Sequence, residues 1–126
     1  MSRYTTRLAV MLGTVFILAT ATMLPVQPVF GSGVARRDAV HAEAQHRQDA
    51  ITRAKDAMAY GQQGHAEALV TNADAALQHA LKAGEDAHLD AGITKLKQAI
   101  EHGNAGHADV ATKHAEQAVT HLSEKK

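Results

Sequence analysis

Histidine is the residue whose number and spacing suggest chemistry in this 126-residue sequence. Nine histidines occur, all of them after residue 40, and several recur at intervals of seven or fourteen residues. Seven residues make two turns of an α-helix, so side chains at this spacing line up along one side of it. Neutral imidazole is a good ligand for Cu(II), Ni(II) and Zn(II). The spacing therefore predicts helices that present metal ligands in rows.

Eight histidines fall on four such rows of three positions each: 46/53/60, 65/72/79, 88/95/102 and 107/114/121. They are the candidate metal ligands His46, His65, His79, His88, His102, His107, His114 and His121. The remaining positions of the rows hold Arg53, Tyr60, Asn72 and Lys95. A histidine at the flank of a helical bundle is more often a solvated surface residue. Only the regular repetition favours the ligand interpretation.

The same chain segment occurs twice. Residues 54–81 match residues 96–123 after a shift of 42, and the matched pairs include Gly64/Gly106, His65/His107 and His79/His121. Such self-similarity indicates one supersecondary unit repeated in tandem.

Each unit is predicted to be a helical hairpin, because apolar residues recur at helical spacing on both sides of a glycine-containing break. The stripes are Ile51, Ala54, Met58; Leu69, Ala73, Ala76, Leu77, Ala80; Ile93, Leu96, Ile100; and Ala111, Ala115, Ala118, Val119, Leu122. In the breaks 61–64 and 103–106, the first glycine is expected to cap the helix in the left-handed conformation and the second to free the turn. Asp86 is expected to cap the third helix. The predicted fold is all-α, an antiparallel up-down-up-down four-helix bundle of two repeated hairpins.

Antiparallel hairpins bring the rows face to face. The expected pairs are Tyr60/His65, Arg53/Asn72, His46/His79, His102/His107, Lys95/His114 and His88/His121. Two imidazoles on neighbouring helices can share an ion, with water or a carboxylate completing its shell. Cu(II) is the preferred ion because it heads the affinity order for nitrogen ligands, and Ni(II) and Zn(II) are the alternatives. Binding is expected to weaken as the pH falls through the imidazole pKa.

The first 35 residues resemble an export signal. Two arginines precede an apolar run from Leu8 to Leu24, and proline and small residues follow. This order predicts a signal segment at 1–35, cleaved after Gly31 or Ala35, and a histidine-rich bundle domain at 36–126. An uncleaved membrane anchor is the alternative. Either a cleaved signal segment or an uncleaved anchor places the domain outside the inner membrane. With cleavage we expect a periplasmic monomer without stable membrane association.

Composition narrows the function further. Cysteine is absent, which excludes disulfides, thiolate zinc sites and iron–sulfur clusters, and the formal net charge of zero argues against nucleic-acid binding. Two Glu-x-x-His motifs, at Glu43 and Glu85, suggest a di-iron oxidase, but both are expected at helix starts near the bundle end. The nearest acids on the second and fourth helices, Asp74 and Glu116, lie on the wrong turn to complete such a site. No enzyme is therefore predicted.

The segments AIEHGNAGH at 99–107 and GHADVATKHAEQAVTHL at 106–122 resemble the small metal-binding protein family of bacterial periplasms. The resemblance extends over most of 46–123. It implies a leader, a four-helix bundle, heptad histidines and binding of divalent metals, Cu(II) above all, in scavenging or buffering.

The resemblance is uneven along the chain. His102, His107, His114 and His121 match the family pattern in the second hairpin, and His46, His65 and His79 match it in the first. Tyr60 and Asn72 stand where family members have histidine, and Arg53 and Lys95 add charge to the rows. We therefore expect a lower metal capacity than in a family member with histidine at all of these positions. The alternative is a structural or interaction bundle with degenerate metal sites.

Overall fold

The structure, a computed structural model, describes residues 31–124. In this range the chain forms four helices and no strand, which confirms the all-α prediction: α1 Gly31–Gln62, α2 Ala66–Ala80, α3 Ala87–Asn104 and α4 Ala108–Ser123. Residues 1–30, which hold most of the predicted signal segment, lie outside the described residues. No helix between residues 31 and 124 combines the length and apolarity needed to cross a bilayer.

The core is built mainly from alanine. Fully buried residues recur at alternating steps of three and four, as in Ala50, Ala54 and Ala57 of α1, so each helix turns one narrow stripe inward. The largest fully buried side chains are those of Leu69, Leu89, Leu96 and Leu122. The stripes predicted for α2 and α4 supply core residues, whereas the isoleucines predicted for α1 and α3 lie half-buried at the edge of the core.

Two glycines have a different role from the one predicted. Gly61 and Gly103 are buried inside α1 and α3, and a Cβ at Gly103 would lie within 3.4 Å of Leu69 Cδ2 and closer still to Val70. The prediction that they end their helices in the left-handed conformation is wrong, because they are needed where α1 and α3 cross a neighbouring helix at close range. Gly64 and Gly106 take the left-handed conformation instead, each with φ of +79°.

The helices pack in a closed ring, α1 against α2 and α4, and α3 against α2 and α4. Helix α1 begins upstream of the residues that pack, and residues 33–45 are exposed along its first half. Glu43 therefore lies in the interior of α1 and not at a helix start, which corrects that expectation for the first Glu-x-x-His motif. The second motif behaves as expected, since Glu85 lies in the linker before α3.

Asp86 caps α3 as predicted. Its Oδ1 accepts a hydrogen bond from the backbone N–H of Leu89 over 2.9 Å, which satisfies one of the free donors of the first turn. Gly84, two residues earlier, has φ of +90° and turns the chain from α2 into α3. The Asp86 side chain also accepts a hydrogen bond from Arg47, near the middle of α1, which holds the start of α3 against that helix.

Candidate metal centre

A first group of candidate metal-ligand side chains joins α1 to the end of α2. His46 and His79, a predicted pair, bring their Nδ1 atoms to 3.3 Å, and Asp49 Oδ2 lies 3.8 Å from His79 Nδ1. All three side chains are half-buried, and their donor atoms lie within 4.8 Å of one another. We call this group the α1–α2 triad.

The spacing of the two nitrogens suits an ion between them. Two nitrogen ligands of a tetrahedral ion, each about 2.0–2.1 Å from the metal, lie roughly 3.3 Å apart. The His46–His79 separation of 3.3 Å equals this value. Without an ion, one imidazole must donate its proton to the other, which requires complementary tautomers. A divalent cation can occupy the same position with both rings neutral.

A second group joins the start of α3 to the end of α4. His88 and His121, also a predicted pair, both approach Glu124, whose Oε2 lies 2.6 Å from His88 Nδ1 and 3.6 Å from His121 Nδ1. The Nδ1 atom of His121 is buried and lacks a hydrogen-bond partner among the described residues. A buried polar atom without a partner is costly. A shared metal ion would satisfy it, so this α3–α4 triad fits a metal.

The two carboxylates were not among the residues predicted from the sequence. Each follows a candidate ligand histidine by three positions on the same helical face, Asp49 after His46 and Glu124 after His121. Their repeat equivalents are Ala91 and Lys82, so the two triads draw their acids from different helices of the repeat unit. The His-x-x-Asp and His-x-x-Glu spacings could have identified these carboxylates in the sequence. A comparison of the two repeats does not reveal them, because neither acid is present in both repeats.

A third group of histidines lies at the opposite turn, between α3 and α4. The ring centroids of His102 and His107 are 6.2 Å apart, and those of His102 and His114 are 5.2 Å apart with the rings nearly parallel. The backbone N–H of His107 donates to the carbonyl of His102 over 2.9 Å, and that of Gly106 to Gly103 over 3.0 Å. These two bonds form a Schellman motif, which places the side chains of the first and last residues next to each other.

His114 belongs with His102 and His107 to this third group, which we call the turn cluster. Burial lowers the pKa of His114 below 6.5, and the positive charges of His102 and Lys95 lower it further. Its Nδ1 is buried and without a hydrogen-bond partner in the described part of the chain. Both features favour the neutral form, which is the form that binds a metal. The predicted neighbour Lys95 does act on His114, through its charge.

His65 stands apart from the other candidates. It is exposed and lines an open cavity of about 540 Å³ together with Tyr60 and Asn72, its partners in the rows. The turn repeats that of the second hairpin, since His65 N–H donates to the Tyr60 carbonyl over 3.0 Å. Tyr60 thus occupies the position of His102, and the structure does not join His65 to a second histidine among residues 31–124.

Half-buried imidazoles grouped with carboxylates on a four-helix framework define a class of protein, the helical bundles that present open metal sites. A family model described as small metal-binding protein matches residues 13–125, which include all four helices. The chain therefore belongs to the small metal-binding protein family. No curated protein is significantly similar to it.

Proposed function

We propose that this chain binds divalent transition-metal ions at the two triads and at the turn cluster, and that it buffers them in the periplasm. The observation that carries the proposal is the pair of two-histidine, one-carboxylate groups, each with donor atoms within 4.8 Å of one another. Three protein ligands leave coordination positions free for water, so the ions should exchange readily. Exchangeable binding suits buffering better than permanent structural use.

Cu(II) is the proposed principal cargo, with Ni(II) and Zn(II) as weaker competitors. For any given set of nitrogen and oxygen ligands, affinity rises to Cu(II) and falls again at Zn(II). The 3.3 Å spacing of the α1–α2 triad matches a tetrahedral ion, so Zn(II) is expected to enter that site with little movement. Cu(II) should draw the two nitrogens closer, towards a square-planar arrangement.

The location and architecture of the protein form part of the proposal. We infer an up-down-up-down bundle, supported by contacts that join residues near a helix start with residues near the end of its neighbour, as in His88 with His121. We also infer export, cleavage of the leader and a monomeric periplasmic form. Cell fractionation and intact mass of the recovered chain test this inference. An unprocessed chain in the membrane fraction would favour the anchor alternative.

Metal titration of the purified full-length chain at neutral pH tests the binding sites. Three double variants each remove one site: His46→Ala/His79→Ala, His88→Ala/His121→Ala and His102→Ala/His107→Ala. Each is expected to lower the Cu(II) stoichiometry measured by competition with a chromophoric chelator. His41→Ala is the matched control, because this histidine is exposed on the first half of α1 and outside all four rows.

The outcomes separate the candidate functions. Unchanged stoichiometry in a double variant would remove that site from the proposal. Absence of Cu(II), Ni(II) and Zn(II) binding by the unsubstituted chain would favour a structural or interaction bundle.

A further inference from the structure

Arg47 of α1 joins three segments of the chain through one guanidinium group. Its Nη1 donates to Asp86 Oδ2 over 2.6 Å, its Nε to the Leu122 carbonyl over 2.9 Å, and its Nη2 to the Glu124 carbonyl over 2.8 Å. The side chain is only 17% exposed and that of Asp86 13%, so the bonds to Asp86 and Leu122 are partly shielded from water, whereas the bond to Glu124 is exposed. Such charge-assisted bonds are stronger than neutral ones.

The three acceptors lie beside the three ligands of the α3–α4 triad. Asp86 begins α3 two residues before His88, and Leu122 directly follows His121. The third acceptor is the backbone of Glu124 itself, at the C-terminal cap of α4. Arg47 therefore holds the start of α3 and the end of α4 at a fixed separation, although its hydrogen bonds include none of the donor atoms of the triad.

The repeat shows that this contact is specific to one site. The position equivalent to Arg47 in the second unit is Leu89, which is fully buried in the core. A core position of the repeat thus carries an arginine in the first unit. The hydrogen bonds of the Arg47 side chain all lead to the ends of α3 and α4, and none leads to α2, which carries His79.

We propose that Arg47 is a positioning residue for a metal ion bound by His88, His121 and Glu124. The inference rests on the proposed function, since it assumes that this triad binds metal. Arginine suits the role because its planar fork donates in fixed directions to several acceptors at once. Groups that orient metal ligands without touching the ion typically change the affinity about 10–100-fold when they are removed.

The sign of the effect distinguishes positioning from simple electrostatics. A cationic guanidinium near a cation site repels the metal, so neutralising it should tighten binding if charge alone mattered. Positioning predicts the opposite, a loss of affinity. The substitution Arg47→Met, which keeps an unbranched side chain without charge or donors, therefore gives the two explanations opposite outcomes.

The test uses full-length chains in which one site remains. The background His46→Ala/His79→Ala/His102→Ala/His107→Ala leaves the α3–α4 triad, and Zn(II) affinity is measured there by competition titration. Arg47→Met is expected to weaken Zn(II) binding at least about 10-fold and to change the Cu(II) electron paramagnetic resonance spectrum of the site. Arg47→Lys keeps the charge but has its donors on one atom, so it should also weaken binding. Arg53→Met, an exposed arginine on the same helix, is the matched control.

A second background guards against a general loss of stability. In His46→Ala/His79→Ala/His88→Ala/His121→Ala only the turn cluster remains, and Arg47→Met should leave its Zn(II) affinity unchanged. Equal losses in both backgrounds, or tighter binding at the triad, would overturn the positioning role; if Arg47→Met does not fold, an unchanged affinity in Arg47→Lys would overturn it. Absence of Zn(II) binding in the first background with Arg47 intact would overturn the α3–α4 triad itself, and the inference with it.

Discussion

The backbone N–H of His107 donates to the carbonyl of His102 over 2.9 Å, so the turn itself holds these two ligand candidates together. The same turn occurs between Tyr60 and His65, with the same left-handed glycine before the second residue. One local motif thus presents two imidazoles in the second hairpin and a phenol and an imidazole in the first. Because the two turns share a backbone conformation and differ in their side chains, each turn serves as a control for experiments on the other.

Substitution of the left-handed glycine should affect both turns equally and metal binding unequally. Gly106→Ala and Gly64→Ala both place a Cβ at φ of +79°, with no other atom within 4 Å to obstruct it. Each is expected to cost about 1–2 kcal/mol of unfolding free energy, from backbone strain alone. Urea unfolding measures that loss.

Only Gly106→Ala should weaken Cu(II) binding at the turn cluster, because it disturbs the bond that joins His102 to His107. Titration of both variants decides this. An equal effect of Gly64→Ala on the turn cluster would show that the loss comes from general stability.

The stacking of His102 on His114 was not expected, because Lys95 was the predicted neighbour of His114. The rows of histidines, and the pairs His46/His79, His88/His121 and His102/His107, were predictable because both follow from the helical period and from short turns. The carboxylates were not. Whether Asp49 or Glu124 reaches a neighbouring histidine depends on the rotation of each helix about its axis, and half-exposed polar side chains do not fix that rotation. The contacts of Arg47 could not be predicted either, since its partner Leu122 lies 75 positions away along the chain.

The sequence alone does not distinguish a glycine packed inside a helix from a glycine that ends one. For this reason Gly61 was wrongly predicted to cap α1. Its Cβ would overlap the Thr112 side chain and lie 2.5 Å from Leu69 Cδ1. Gly61→Ala should therefore destabilise the bundle by about 1–3 kcal/mol through overpacking, outweighing the better helix propensity of alanine, worth about 1 kcal/mol. Thermal unfolding measures the loss.

Gly33 is the matched control for Gly61. It lies in the same helix, and a Cβ added there would meet no other atom within 4 Å, so Gly33→Ala should leave stability unchanged or raise it slightly. Loss of stability at Gly33, or none at Gly61, would contradict close packing of α1 against its neighbours as the reason for the buried glycine.

Asp86 should make stability depend on pH in the acid range. Its hydrogen bond from Arg47, together with the Leu89 N–H, lowers its pKa from 3.8 to about 2. A lowered carboxyl pKa stabilises the folded state above about pH 4, and the contribution disappears as the pH falls to about 2. Asp86→Asn keeps a good helix cap but loses the charge, so it should cost up to about 2 kcal/mol at neutral pH.

The unfolding free energies of the unsubstituted chain and Asp86→Asn should converge as the pH falls from about 4 to about 2. Urea unfolding at several pH values in the absence of metal measures this. Asp90→Asn, which changes an exposed acid in the first turn of α3, is the matched control for the loss of a carboxylate at this helix start. A difference between the unsubstituted chain and Asp86→Asn that stays constant across the range would contradict the prediction. It would show that the lost stability comes from the helix cap and not from the ion pair with Arg47.

His114 should titrate below the ordinary histidine value in the metal-free protein. Burial lowers its pKa, and the positive charges of His102 and Lys95 on α3 lower it further, whereas the neighbouring Gln117 side chain raises it. Because the unfolded chain then binds more protons, stability should rise with pH between the lowered pKa and 6.5. Proton NMR of the imidazole measures the midpoint directly.

Lys95→Gln is expected to move that midpoint upward, since it removes a like charge that faces His114 from α3. Lys97→Gln, an exposed lysine two residues along the same helix, is the matched control and should leave the midpoint in place. The shift also connects to function, because a higher midpoint leaves less neutral imidazole at mildly acidic pH. Cu(II) binding at the turn cluster of Lys95→Gln should then weaken at a higher pH than in the unsubstituted chain, and equal midpoints in the two lysine variants would exclude charge from Lys95 as the cause.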